Sequence, residues 1–254
     1  MTQFGCHCRQ NQDLFYLTSE ILTKVKQVLV KTMPSVVLVQ GDTTTAMVCS
    51  LAAYYLKIPV AHVEAGLRTD DIYCPFPEEA NRQIVSVIAS YNFVPTAMWV
   101  PKLIKQGIPK NKIFCTGNTV VDALRIIFEK IELGELEIGE NIKNICEEAK
   151  EQDKKIVLFT MHRRESFGAG ISSVINSLKE LANKHKNLLF IFPAHLNPNV
   201  QKAVEEANIK NHKNFIITGS LKYPDMVYLI RNCMGIMTDS GGIQEEGVSL
   251  QKPV

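Results

Sequence analysis

Residues 35–83 read SVVLVQGDTTTAMVCSLAAYYLKIPVAHVEAGLRTDDIYCPFPEEANRQ. Two apolar runs of strand length, 36–39 and 60–63, each end in a short polar turn with a carboxylate: Asp42 after the first, Glu64 after the second. The segment between them, 43–56, carries a helical pattern. Strand, helix and strand in so short a space form a βαβ unit with parallel strands. The alternation continues outward, with strands expected at 92–94 and 113–115 and helices at 77–90, 96–106 and 119–131. In an open parallel sheet, ligand chemistry collects outside the carboxyl ends of the strands. Asp42 and Glu64 fall there. Glu78 and Arg82, four residues apart at the start of the next helix, come to the same end.

Downstream, 132–155 is charged and reads as a linker plus a surface helix. The alternation then restarts, with strands at 156–160, 188–192, 215–218 and 235–238, and helices at 171–185, 198–207, 224–233 and 241–249. The expected fold class is α/β, with two Rossmann-like doubly wound domains facing a cleft. The first spans 1–133, the linker and surface helix 134–155, and the second 156–254. Clefts between domains are favoured ligand sites. The first unit opens on a helix, 17–31, with no strand before it, and the chain stops at Lys252-Pro253-Val254, where a strand is starting. Both units are therefore expected to be incomplete, the first at its start and the second at its end.

Composition narrows the function classes. Hydrophobic residues are 46% and charged residues 21% of 254, the mix of a soluble globular protein. The net charge is +2 with no basic stripe, which argues against a nucleic-acid partner. No apolar run reaches the ~18–20 residues of a membrane helix, and the first residues have no apolar core like that of a secretory signal. Seven scattered cysteines, an odd number, fit a reducing cytoplasm. Cys6-His7-Cys8 has no second ligand pair at finger spacing, so no metal is expected.

Five motifs carry chemistry. Gly41-Asp42-Thr43-Thr44-Thr45 puts hydroxyls and N–H groups at a helix start, which suits an anion or serves as an ordinary N-cap. His62-Val63-Glu64-Ala65-Gly66-Leu67-Arg68 ends the next strand. Its Glu64 faces the crevice or pairs with Arg68. In Pro77-Glu78-Glu79-Ala80-Asn81-Arg82, the local reading is a first-turn acid with an i,i+4 surface pair. Only nearness to the other acids lifts it to a site. His162-Arg163-Arg164-Glu165-Ser166-Phe167-Gly168 suits a phosphate, and Phe192-Pro193-Ala194-His195 brings a second histidine to a strand end. Thr238-Asp239-Ser240-Gly241-Gly242 leaves N–H groups uncovered for a diphosphate, with Glu246 further along the helix to accept from ribose hydroxyls.

Together GDTTT, HVEAGLRT, FPEEANR, HRRESFG and TDSGGIQEE resemble the non-hydrolysing UDP-N-acetylglucosamine 2-epimerases in order and spacing, from about Leu17 to Val254. The resemblance implies a GT-B-like fold and a cytoplasmic enzyme, usually a homodimer, needing no cofactor. It implies interconversion of UDP-N-acetylglucosamine and UDP-N-acetylmannosamine through UDP elimination to a glycal and re-addition. Carried over by motif, Asp42, Glu64 and Glu78 match acid/base carboxylates, Arg82 an active-site arginine and His162 a histidine near the diphosphate. Ser240, Gly241, Gly242 and Glu246 match the UDP-binding turn and ribose contact. Arg163 and His195 resemble residues of a second, regulatory substrate position.

The sequence departs from the family at both ends. Nothing matches a Gly-Thr-Arg-Pro-Glu-type loop, and Tyr223-Pro224-Asp225-Met226 differs from the usual residues around the uracil. Alternatives therefore stay open: an inactive UDP-sugar-binding fragment, a hydrolysing 2-epimerase, or a GT-B glycosyltransferase.

Overall fold

The computed structural model describes residues 13–161, 169–194, 204–206, 209 and 212–254. It divides into two compact units, residues 1–119 and 120–254.

The first unit opens on α1 (Leu14–Thr32), capped where the Asp13 side chain accepts from the Tyr16 N–H at 2.7 Å. The strands β1 (Val37–Gln40), β2 (Val60–Val63), β3 (Tyr91–Val94) and β4 (Ile113–Cys115) follow. Between them run α2 (Thr44–Tyr55), α3 (Glu78–Ile88) and α4 (Val100–Lys105). All pairings are parallel, in the order β1-β2-β3-β4. Winding that advances in one direction through right-handed crossovers keeps the helices on one face, and α2 packs against both α1 and α3 there. Val39 and Val60 point into that layer with Leu29, Ala46, Ala53 and Val85. On the other face lie Leu38, Ala61, Val63, Tyr91, Phe93 and Phe114, brought into rows by the register Leu38↔Ala61↔Tyr91 and Val63↔Phe93↔Phe114.

The second unit begins with α5 (Thr119–Glu132) and α6 (Glu140–Glu151). The strands β5 (Lys155–Thr160), β6 (Leu188–Pro193), β7 (Phe215–Thr218) and β8 (Gly235–Thr238) alternate with α7 (Ala169–Lys184), α8 (Tyr223–Asn232) and α9 (Gly241–Ser249). The parallel order is β7-β6-β5-β8. The chain winds outward from β5 and then returns to its other side, which puts a topological switch point between β5 and β8. Alternate residues of β5 and β6 enter different cores. Val157, Phe159, Phe190 and Phe192 face one layer, while Ile156, Leu158, Leu189 and Ile191 face the other.

Two boundaries differ from the sequence reading. The units part at 119/120 rather than at 133, because α5 packs with the second unit: Ile131 meets its core and Arg231 lies over the Phe128 ring at 4.0 Å. Residues 134–155, expected as linker and surface helix, include α6, whose Ile142, Ile145, Cys146 and Ala149 are core. Their spacing makes one helical stripe.

Candidate active site

In the first unit, the turn after β1 is built on Gly41 in the left-handed region (φ 73°), whose N–H donates to the Val63 carbonyl at 3.1 Å. That bond extends the β1–β2 ladder by one rung and delivers Asp42 beside the end of β2. Thr43 caps α2 by accepting from the Ala46 N–H at 3.2 Å. The cap role read from GDTTT therefore belongs to Thr43, and the Asp42 carboxylate is used elsewhere.

Glu64 stands directly after β2 with φ 64°. A residue other than glycine is rarely held there, and strained backbone gathers at functional sites. Its carboxylate lies over Gly41: a Cβ on that glycine would sit 3.9 Å from Glu64 Oε2. Two residues on, Gly66 (φ 92°) admits no side chain, since a Cβ would meet Trp99 Cβ and Val94 Cγ1 at 3.0 Å. The Ala-Gly of the motif is thus a close-packing demand that fixes the Glu64 turn.

The start of α3 supplies the cation. An Arg82 Nη2 donates to Asp42 Oδ2, and its Nη1 to Glu79 Oε2 at 3.3 Å. Glu79 is 0% exposed and accepts in addition from the Thr69 N–H at 3.2 Å and from Gln83 Nε2 at 3.0 Å. Asn81 Nδ2 donates to the Asp42 carbonyl at 2.9 Å, fixing that turn from behind. The i,i+4 pair expected between Glu78 and Arg82 is replaced by the i,i+3 pair of Glu79 with Arg82. Glu78 is half-buried at the first position of α3.

Arg68 does not hold Glu64 in an ion pair. Its guanidinium donates to Gln106 Oε1 at 2.9 Å, the Leu67 carbonyl at 2.7 Å and Ser86 Oγ at 2.8 Å. His62 is 0% exposed, with Nε2 2.8 Å from the Gly41 carbonyl oxygen. Burial holds its pKa below the ordinary histidine value, partly opposed by that carbonyl. It is a neutral brace beneath the Asp42 turn.

The second unit offers a different surface. At the switch point a crevice of about 330 Å³ is lined by Phe159, Thr160, Val174, Met237 and Thr238, among others. The Thr160 and Thr238 hydroxyls meet at 2.6 Å, and Thr238 Oγ1 accepts from the Ser240 N–H at 3.0 Å. Ser240 is the N-cap of α9, and its side chain makes no capping bond. The first-turn N–H groups are left to an incoming anion. A Cβ at Gly241 or Gly242 would meet nothing within 4 Å, so the protein's own packing does not demand glycine at either position. The open space leaves the backbone there accessible to a close approach from outside.

Glu246, one turn deeper in α9, is 8% exposed and its Oε1 accepts from the Tyr223 hydroxyl at 2.9 Å. Burial raises its pKa above the usual carboxylate range, and the tyrosine bond partly offsets this. The nearby Asp225 is used internally, its Oδ1 accepting from the Gly139 N–H at 2.8 Å.

The structure thus joins Asp42 to Arg82, lays Glu64 over the neighbouring turn, and gathers Ser240, Gly241, Gly242 and Glu246 on one helix end. His162, Arg163 and His195 lie outside the described residues. Glu79 and Asn81 sit in a motif whose sequence reading gave them no role, and that reading placed Tyr223 only in the segment around the uracil, without its bond to Glu246. A helical phase through Glu79, Arg82 and Ser86 was the signal for the first; the others depend on tertiary contacts. Among the described residues no group of three or more His, Cys, Asp or Glu side chains is arranged to hold a metal ion. No helix among them is long and apolar enough to cross a membrane.

Comparison with known proteins adds to this geometry. The family model described as UDP-N-acetylglucosamine 2-epimerase matches residues 4–254. A Campylobacter jejuni UDP-N-acetylglucosamine 2-epimerase is 48% identical over 97% of this chain and 64% of its own length. The chain therefore spans just under two thirds of that relative. The crystal structure of the Neisseria meningitidis UDP-GlcNAc 2-epimerase bound to UDP-GlcNAc superposes with a TM-score of 0.87 at 42% identity, covering 98% of this chain and 66% of that one. The Staphylococcus aureus MnaA–UDP structure gives a TM-score of 0.85 at 36% identity, covering 97% and 63%. The fold is accordingly GT-B-like.

Proposed function

The chain belongs to the UDP-N-acetylglucosamine 2-epimerase family, and from that premise we propose that it interconverts UDP-N-acetylglucosamine and UDP-N-acetylmannosamine. The observation that carries the proposal is the pairing of Asp42 with Arg82 beside Glu64, at the carboxyl ends of adjacent parallel strands. A glycosyltransferase shares the need for a diphosphate turn but not for several acids. An epimerase needs them, because a proton leaves one face of the sugar and returns to the other.

In the forward direction a carboxylate takes the C2 proton while the C1–O bond breaks and UDP leaves with the bonding pair. A C1=C2 double bond remains in the glycal. UDP then adds back at C1 as a proton is delivered to the opposite face of C2, so atoms and charge balance. Asp42, Glu64 and Glu78 are the proposed acid/base groups, each offering roughly 10²–10⁴ in rate. Arg82 orients Asp42 and supplies positive charge. The N–H groups at Gly241 and Gly242, with the uncommitted Ser240 side chain beside them, receive the departing diphosphate, where fixed donors are most effective. His162 is assigned to the diphosphate, and Arg163 and His195 to a regulatory substrate position, on their motifs.

The test is UDP-N-acetylglucosamine in deuterated water followed by NMR. Expected are UDP-N-acetylmannosamine and deuterium at C2 in both sugars. Unlabelled, unconverted substrate after long incubation overturns turnover by this chain. A second reading, UDP-sugar binding without turnover, rests on the turn at 240–242 and Glu246 alone. UDP binding by calorimetry with no label uptake selects it. We place the enzyme in the cytoplasm, supported by the free state of all five described cysteines. We assign it a homodimer, to be checked by light scattering.

A further inference from the structure

The ribose end of the proposed UDP site contains a hydrogen bond that neither the motif nor the reaction requires. Glu246 is 8% exposed on α9, and Tyr223, the first residue of α8, reaches it from a separate element at 2.9 Å. A glutamate has three rotatable bonds, and its carboxylate plane turns freely unless something fixes it. No other described residue donates to this carboxylate, and the charge of neighbouring Glu245 acts on it repulsively. Among the described residues Tyr223 is thus the group that satisfies this buried carboxylate and restrains its rotation. Each carboxylate oxygen has two acceptor positions. With Oε1 engaged once by Tyr223, its second position and all of Oε2 remain for a pair of neighbouring hydroxyls. The tyrosine is itself 39% exposed, so it stands at the rim of the site rather than in the core.

Resting on the UDP reading above, we propose that Tyr223 is a positioning residue that aims Glu246 at the vicinal ribose hydroxyls and so makes the site selective for ribonucleotides. It acts through Glu246 and needs no contact of its own with the sugar. The selectivity then resides in a pair of side chains 23 positions apart, one at the start of α8 and one a turn into α9, not in the glutamate alone.

Calorimetry on the full chain with UDP and with 2′,3′-dideoxy-UDP tests it. The unmodified chain is expected to prefer UDP by about tenfold to a hundredfold, the range for hydrogen bonds to a charged group. In Tyr223→Phe, UDP should weaken about tenfold while the dideoxy nucleotide is unchanged, collapsing the preference. Glu246→Asp, which retracts the carboxylate by one methylene and leaves the tyrosine intact, should collapse it too. Equal losses for both nucleotides in Tyr223→Phe, or an undiminished preference in either variant, overturns the role of Tyr223 and leaves the UDP site standing. An unmodified chain that binds neither nucleotide overturns the UDP reading and this inference with it.

Discussion

The two parallel sheets meet water differently. In the second unit β5 and β6 are buried on both faces, with alternate side chains feeding two separate cores. In the first, one face packs under α1, α2 and α3, while the opposite face leaves Leu38 66% exposed and Tyr91 and Phe114 open beside it. Parallel strands normally read as unbroken apolar runs because both faces are covered. Val36-Val37-Leu38-Val39 is such a run, written for cover on two sides and receiving it on one from the described residues. The polar ends contrast as well. The first unit holds Asp42 and Glu79 through the Arg82 guanidinium, whereas the second leaves helix N–H groups at Gly241 and Gly242 uncovered. On the proposed function, chemistry and nucleotide binding are divided between two kinds of polar construction.

The largest expected effect breaks that division directly. Asp42→Asn and Glu64→Gln should each lower epimerisation by about 10²–10⁴-fold, the usual weight of one acid or base, with UDP affinity retained. Gly242→Ala should do the reverse. Its Cβ meets no atom of the protein, so thermal stability should hold while UDP affinity falls about tenfold, or 1.4 kcal/mol. Steady-state rates beside calorimetry separate the two, and a variant that moves both together breaks the contrast.

Next in size is Glu79→Ala. Removing a fully buried carboxylate leaves the Arg82 guanidinium and the Thr69 N–H without that partner. The expected loss is about 3 kcal/mol, read by urea unfolding, with turnover falling through misplacement of Arg82. No change in stability would show that Asp42 alone holds Arg82.

Acid pH should then weaken the first unit through His62. Its folded pKa lies below the ordinary value. The unfolded chain therefore takes up its proton first, and stability is full above about 6.5 and declines as pH falls toward the folded pKa. Thermal melts between pH 7.5 and 5 should show a shallower slope for His62→Gln; parallel slopes would refute it. The smallest effect is at Leu38→Lys on the open face, where stability should change within about 0.5 kcal/mol. Concentration-dependent association should drop, because an exposed apolar face invites association. Unchanged sedimentation would show the face is inert.

The strand positions were legible because apolar runs bounded by Gly and Pro punctuate this chain clearly: β2 and β4 fall where the sequence puts them. So was the gathering of Asp42 and Arg82, since parallel topology fixes which loops share an end. The choice between Glu78 and Glu79 was not. The first turn of α3 holds few apolar residues, so its inward phase is set by Asn81, Val85 and Ser86, which only packing against α2 reveals. The stripe of α6 was present at 142, 145, 146 and 149, but the surrounding charge disguised it. Tyr223 and Glu246 meet through tertiary placement, which no local pattern encodes.

The left-handed backbone at Glu64 bears on how this sequence would drift over generations. Glycine rests there without the roughly 1 kcal/mol of strain that a side chain brings. On the proposed mechanism, a lineage no longer selected for proton transfer could exchange that glutamate, and Glu64→Gly is expected to lose turnover while the relief of backbone strain offsets the contacts its carboxylate gives up. On that mechanism, this position would be an early one to record retirement from catalysis.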